Sequence, residues 1–196
     1  MMKNIVINEI KEFLAERNFN VKITEQIRCE TLFTKQINEN DNVEKRNDII
    51  YLIKNNQWEK QNPNSFYESL KKSKHSMMLT DYTPSELSKM KLFKLKGHNI
   101  GFALKKIKDG KYSEIVSVHN NEPDVKNIGN ELLNAAINNG GCYLDHFDGF
   151  LSNLYSNLGF VEYKRDSYDP KYDPDNEFKT KYGASDIIYR VHRNCM

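Results

Sequence analysis

Apolar positions change their period along this chain, and the change divides it in two. Ile5, Ile10, Phe13 and Leu14 fall near one face of a helix expected over 4–17. A charged stretch follows to about residue 47, in which "TEQIRCETLFTKQI" fits either strand or helix. "DIIYLIKNNQW" is a short apolar segment, and "QNPNS" at 61–65 is a turn that can open a helix, "SFYESLKKSK". No chemical constellation occurs before residue 75. Residues 1–75 therefore read as a mainly helical N-terminal extension, with packing or partner contact as its role.

From about residue 76 the patterning becomes regular. "TPSELSKM" places Thr83 as N-cap, Pro84 at the first helical position and Glu86 three residues after the cap, the residues of a capping box. "KLFKL" and "NIGFALKK", separated by "KGH", read as a hairpin. Asp109-Gly110 predicts a tight turn into a third strand, "SEIVSV", that ends near Val118. A polar junction leads to a helix over 129–139, stopped by Gly140-Gly141. "CYLDHF" is then a strand, 149–158 a helix, "FVEYKR" a strand and "DIIYRVH" a last strand. A meander followed by alternating strands and helices predicts an α/β domain over 76–196, built on a mixed, mostly antiparallel sheet flanked by helices.

The chain has 196 residues and 23.0 kDa, which suits one domain with an appendage. Net charge is +2, so no global field points to nucleic acid. The basic runs at 71–74 and 89–96 read as solvated faces. Cys29, Cys142 and Cys195 are too few and too scattered for a disulfide framework, and no Cys/His spacing suggests zinc. A reducing, cytoplasmic setting follows from free thiols. The charged N-terminus lacks the apolar region of a signal peptide, and no window reaches the ~18 apolar residues of a membrane span.

Candidate chemistry begins at the junction "VHNNEPDVKNIGNELL". A helix N-terminus carries unpaired N–H groups and partial positive charge, which suit phosphate oxygens. Asn127 tolerates a left-handed backbone, and Gly129 permits close approach of a ligand. The same stretch can also be a plain connector. Together with "LYSNLGF" ahead of the next strand, this order of elements resembles the GNAT superfamily of N-acetyltransferases. In that family a Gln/Arg-x-x-Gly-x-Gly/Ala turn binds the pyrophosphate of acetyl-coenzyme A. Asp124 to Gly129 occupy those positions, with Ile128 and Gly129 matching and with Asp124 and Asn127 departing. The resemblance implies acetyl-coenzyme A as co-substrate, bound by Val118, Val125, Lys126, Asn127, Ile128, Gly129 and Asn130.

"YSNLGF" is similar to the family's Tyr-x-x-x-Gly-Phe, which implies that the Tyr155 hydroxyl protonates the departing thiolate. Packing alone is the other reading of Tyr155. "LDHFDGFL" resembles a subgroup of acetyltransferase-like proteins from bacteriophages and prophages. Its Asp145, His146 and Asp148 are the candidates for a general base, since an imidazole or a carboxylate raised by burial can take a proton near neutrality. "DSYDPKYDPDNEFKTK" at 166–181 suits an acidic lid that would favour a basic acceptor, or a stiff extended loop. The expected function is acyl transfer to an amine of a protein or small molecule. The alternatives are an inactive phage protein that binds a host factor, and a nucleobase-modifying enzyme.

Overall fold

The computed structural model describes residues 43–196 apart from His75, Lys108 and Asp109. The expected helix over 4–17, Cys29 and the Asp109 turn position lie outside the described residues. In chain order the elements are α1 (43–54), β1 (Trp58–Lys60), α2 (Pro63–Lys71), α3 (Pro84–Leu87), β2 (Lys91–Leu95), β3 (Ile100–Lys106) and β4 (Ser113–Asn120). There follow α4 (Gly129–Asn138), β5 (Gly141–Phe147), α5 (Phe150–Asn157), β6 (Phe160–Asp166), α6 (Glu177–Tyr182) and β7 (Ile187–His192). The mixed α/β architecture expected from the patterning is present. Residues 45–75 contribute most of α1, β1 and α2 to the same compact unit as the rest of 45–196.

Seven strands form one sheet in the order β1-β2-β3-β4-β5-β7-β6. Every neighbouring pair is antiparallel except β4 with β5. Strand β1 was not expected, because three residues, two half-buried and one exposed, carry too little pattern to show. Its Trp58 ring sets an edge against Phe93 and Phe102, which explains its place in the sheet. The last strand enters between β5 and β6 rather than at an edge.

Strict alternation sorts the sheet's two faces. Ile100, Phe102 and Leu104 of β3, with Ile115 and Leu144, pack with Ile49 and Ile53 of α1 and with Leu132, Leu133 and Ala136 of α4. Ala103 and Val116 point the other way and pack with Phe66 and Leu70 of α2 and Leu87 of α3. The Thr83 capping box forms as expected: Glu86 Oε2 accepts from the Thr83 N–H at 2.8 Å, and the Glu86 N–H reaches Thr83 Oγ1 at 3.3 Å. The acidic and aromatic loop after β6 is more ordered than its sequence suggests, with a turn of 3₁₀ helix at Pro170–Tyr172 and then α6.

The cysteine reading needs correction. Cys142 and Cys195 form a disulfide across 6.0 Å between Cα atoms, despite 53 residues of sequence separation. Strand β7 returns beside β5 with Tyr143 opposite Val191, which carries the residues after β7 back to the start of β5. Free thiols at these two positions are therefore no argument for a reducing compartment. No helix among the described residues is long and apolar enough to cross a membrane.

Gly141 marks where β4 and β5 are held together. A Cβ there would collide with the Ile115 side chain and come within 2.9 Å of the Ala136 carbonyl oxygen. Gly141→Ala is expected to cost about 1–3 kcal/mol of stability through overpacking. Urea unfolding should show the loss as a lowered midpoint with an unchanged slope.

Candidate active site

Parallel pairing between β4 and β5 is confined to Ser113 with Gly141 and Glu114 with Tyr143. Beyond these residues the strands part, although β4 runs on to Asn120 and β5 to Phe147. A bulge in β4 helps to turn it away. Gly101 faces His119 and Ala103 faces Val116, so two steps of β3 answer three of β4. Ser117 takes the strain, with φ at 54°. Its hydroxyl is buried without a hydrogen-bond partner among the described residues. His119 braces the bulge from behind, with Nδ1 donating to the Ser117 carbonyl at 3.0 Å and Nε2 3.1 Å from Ser69 Oγ of α2.

The turn after β4 is built outward from two apolar anchors. Val125 and Ile128 are buried in the core, while Asp124, Lys126, Asn127 and Asn130 are exposed. Asn120 donates to the Val125 carbonyl at 2.7 Å and accepts from the Glu122 N–H at 3.1 Å. Lys45 pairs with the other face of Glu122 at 2.9 Å and ties α1 to this turn. Asn127 adopts the left-handed conformation, at φ 58°. Among the described residues, no acceptor meets the backbone N–H groups from Lys126 to Glu131. α4 has no side-chain cap. A Cβ at Gly129 would meet only Leu154 Cδ2, at 3.6 Å. The geometry fits an anion such as a pyrophosphate, with Asp124 and Glu131, the latter in the first turn of α4, as unfavourable charges.

The "DHFD" residues do not act as one cluster. Asp145 and His146 lie on opposite faces of β5, and Asp148 falls beyond the strand in the turn to α5. Asp148 bonds Arg165 Nη1 and Ser152 Oγ, each at 2.7 Å, and these partners hold its carboxyl at about 2. His146 Nδ1 donates to the Phe147 carbonyl at 2.8 Å, and its Nε2 accepts from Arg190 Nε at 2.9 Å. Burial, and then the Arg190 charge, lower its proton affinity. Both ring nitrogens are thus engaged, which leaves no lone pair for a substrate proton. The His146 ring instead packs at 4.7 Å from that of Tyr155.

Tyr155 sits in α5 beside Leu154, the residue that faces Gly129. Its hydroxyl has no hydrogen-bond partner among the described residues. Burial, reinforced by the Asp145 charge, pushes it up to about 12. Asp145 is exposed at the sheet surface, yet its carboxyl is raised, by partial withdrawal from water and then by the Glu114 charge beside it. Glu114 is the residue that motif reasoning missed as a site member. It lies on the face of β4 that Val116 shares, pairs with Lys105 at 3.0 Å and carries no motif of its own. Only the β4–β5 register places it beside Asp145. Arg190 was equally silent in the sequence; it is buried and donates to His146, Ser156 Oγ and the Phe160 carbonyl.

No protein-family model matches the chain, and a search of curated proteins finds no match. Solved structures do resemble it. An N-acetylglutamate synthase from Neisseria gonorrhoeae, complexed with coenzyme A and N-acetyl-glutamate, is 16% identical with a TM-score of 0.43. That match covers 70% of this chain and 34% of the synthase, about a third of its length. A Bacillus subtilis acetyltransferase in complex with CoA is 19% identical over 69% of this chain and 95% of its own, with a TM-score of 0.49. A GNAT family acetyltransferase from Elizabethkingia anophelis with acetyl-CoA bound is 21% identical over 64% of this chain and 88% of its own, with a TM-score of 0.41. Likeness at this level carries no residue-by-residue correspondence.

The Asp148–Arg165 pair sets an acid dependence. The folded value of about 2 lies below the ~3.9 of an unfolded aspartate. Its contribution is therefore complete above the unfolded value and lost as pH falls toward 2. Both side chains are more than a third exposed, so the contribution is about 1 kcal/mol or less. Asp148→Asn should lower stability by that amount at pH 7, with the difference from wild type closing between about pH 4 and 2 in chemical denaturation.

Proposed function

We propose that this chain transfers the acetyl group of acetyl-coenzyme A to a primary amine. The parting of β4 and β5 carries the reading, because it opens a slot with an anion-ready helix start at its end and Tyr155 at its side. The unpartnered N–H groups of Lys126 to Glu131 suit the pyrophosphate, and the exposed edges of the parted strands suit the pantetheine amides. Val118, just after the bulge, is partly buried against the same core cluster as Ile128 and Leu132, a position that suits contact with the coenzyme.

The amine nitrogen attacks the thioester carbonyl carbon and the carbon–sulfur bond breaks. Tyr155 gives its proton to the departing sulfur, and Asp145 takes the proton that the amine loses. The half-buried phenol keeps its proton at neutral pH, as an acid must. The raised Asp145 carboxyl moves toward the working range of a base. Of the three base candidates, Asp145 is the one whose carboxylate is neither locked in an ion pair nor committed at both acceptor positions. Asp124 favours a second reading, a binding module that holds no coenzyme, because its negative charge stands beside the phosphate position.

Calorimetry with coenzyme A separates these readings. Micromolar binding that Gly129→Val abolishes supports the first; a Cβ at Gly129 meets only Leu154 Cδ2, at ordinary contact distance, so the variant should fold, with an unfolding midpoint close to wild type as the check. Wild-type protein with no affinity for coenzyme A sinks it.

Tyr155→Phe keeps the ring against His146 and removes only the hydroxyl. Turnover by thiol release is expected to fall about 10²–10⁴-fold with little change in coenzyme affinity. Asp145→Asn should cause a similar fall and leave stability unchanged or higher at pH 7. The sign follows from its raised value, since the charged form is disfavoured by folding above the unfolded value and asparagine removes that penalty. In wild type, turnover should rise with pH as Asp145 ionises, with an acid limb above the ordinary carboxylate range.

A further inference from the structure

Beside the slot lies a strip of side chains of which the acyl-transfer reading uses only Asp145. Lys105 faces Glu114, Glu114 faces Tyr143, Tyr143 shares its face of β5 with Asp145, and Asp145 faces Tyr189 of β7. Tyr163 of β6 closes the row, its ring 6.2 Å from Tyr143 and 6.4 Å from Tyr189. Tyr82, ahead of α3, overhangs the other end with Lys105 Nζ 5.5 Å from its ring. α2 and α3 pack over Ala103 and Val116, on the β3 and β4 part of this face, and the tyrosines beyond are half-buried or exposed.

The charges along this strip are unbalanced at one point. Lys105 pairs with Glu114 and acts on Asp145 only from farther off; among the described residues no cation lies within ion-pair distance of Asp145. At the far end the Tyr189 ring already holds a cation, with Lys164 Nζ 4.5 Å over it. Asp166 holds the same ammonium at 2.7 Å. Carboxylates at one end and electron-rich rings with a carboxylate at the other are complementary to two positive charges on a slender chain. Strands β5 and β6 stand two strand spacings apart, about 10 Å. An extended aliphatic chain covers that distance along the tyrosine rings.

We propose that the acceptor is a free linear diamine, with one amine at Asp145 and Glu114 and the other over Tyr163 and Tyr189. This rests on the acyl-transfer reading for the fate of the first amine, but the strip's recognition of the dication does not. The reacting amine gives its proton to Asp145, while the distal ammonium stays charged and sets the register. The distal ammonium displaces Lys164 from its ring.

Two measurements test it with the full chain. The first is calorimetry of 1,5-diaminopentane and of pentylamine against protein saturated with coenzyme A. The diamine should bind about 3–30-fold more tightly, the range of a cation–π contact. Tyr163→Ala and Tyr189→Ala, both at surface-facing positions, should weaken diamine binding and leave pentylamine unchanged. The second is thiol release with the same amines, phenethylamine and a lysine-containing peptide. The diamine should have the highest kcat/KM, and the tyrosine variants should raise its KM without lowering kcat. Equal binding of diamine and monoamine, or preference for phenethylamine or the peptide, overturns the proposal. Diamine binding without turnover on any amine keeps the strip's ligand and removes the acyl-transfer reading instead.

Discussion

The site depends on two parallel strands that pair at two positions and then separate. Gly141 lets β5 approach closely enough for the pairing with Ser113, because any side chain there would strike Ile115. The extra residue at the Ser117 bulge then bends β4 away. Each half of this arrangement needs the other. Without the close start the strands would not share a sheet, and without the bulge the slot would be filled by ladder bonds. The left-handed Ser117 backbone is costly, and His119, held by Ser69 of α2, secures its carbonyl.

Placement around the slot follows from the same geometry. α4 follows β4 after the junction 121–128, and its first N–H groups meet no acceptor among the described residues. α5 follows β5 and brings Leu154 against Gly129 and Tyr155 against His146. The polar side chains then divide by environment. Asp148, exposed and paired with Arg165, is fixed as an anion and anchors the turn. Asp145, at the exposed sheet surface but crowded by Glu114, is held closer to neutrality. One tetrapeptide thus supplies a structural charge, a buried strut in His146 and, in the proposed reaction, the base. Arg190 keeps the strut neutral and immobile by donating to its remaining nitrogen.

Much of the architecture was legible along the chain. The capping residues Thr83 and Glu86, the strand periods of 91–95 and 100–106, and the alternation of strand and helix after Ser113 all reflect local rules that act within a few residues. Asn127 was read as tolerant of a left-handed turn, and it adopts one. Strand β1 was hidden because three residues have no measurable period. The disulfide was hidden because no rule of spacing joins Cys142 to Cys195 over 53 residues.

Residue types and local propensity determined the elements, the caps and the set of groups able to move a proton. Tertiary structure decided which of those groups meet. Alternation along β5 sends Asp145 and His146 to opposite faces, but only the entry of β7 beside β5 supplies Arg190 to one and Tyr189 to the other. Glu114 reaches Asp145 only because β4 and β5 pair in a particular register. A proton affinity depends on burial and neighbouring charge, and both arise from contacts between residues distant in the chain. Sequence can therefore name the candidate acids and bases, while the packing of β4, β5 and β7 assigns their roles.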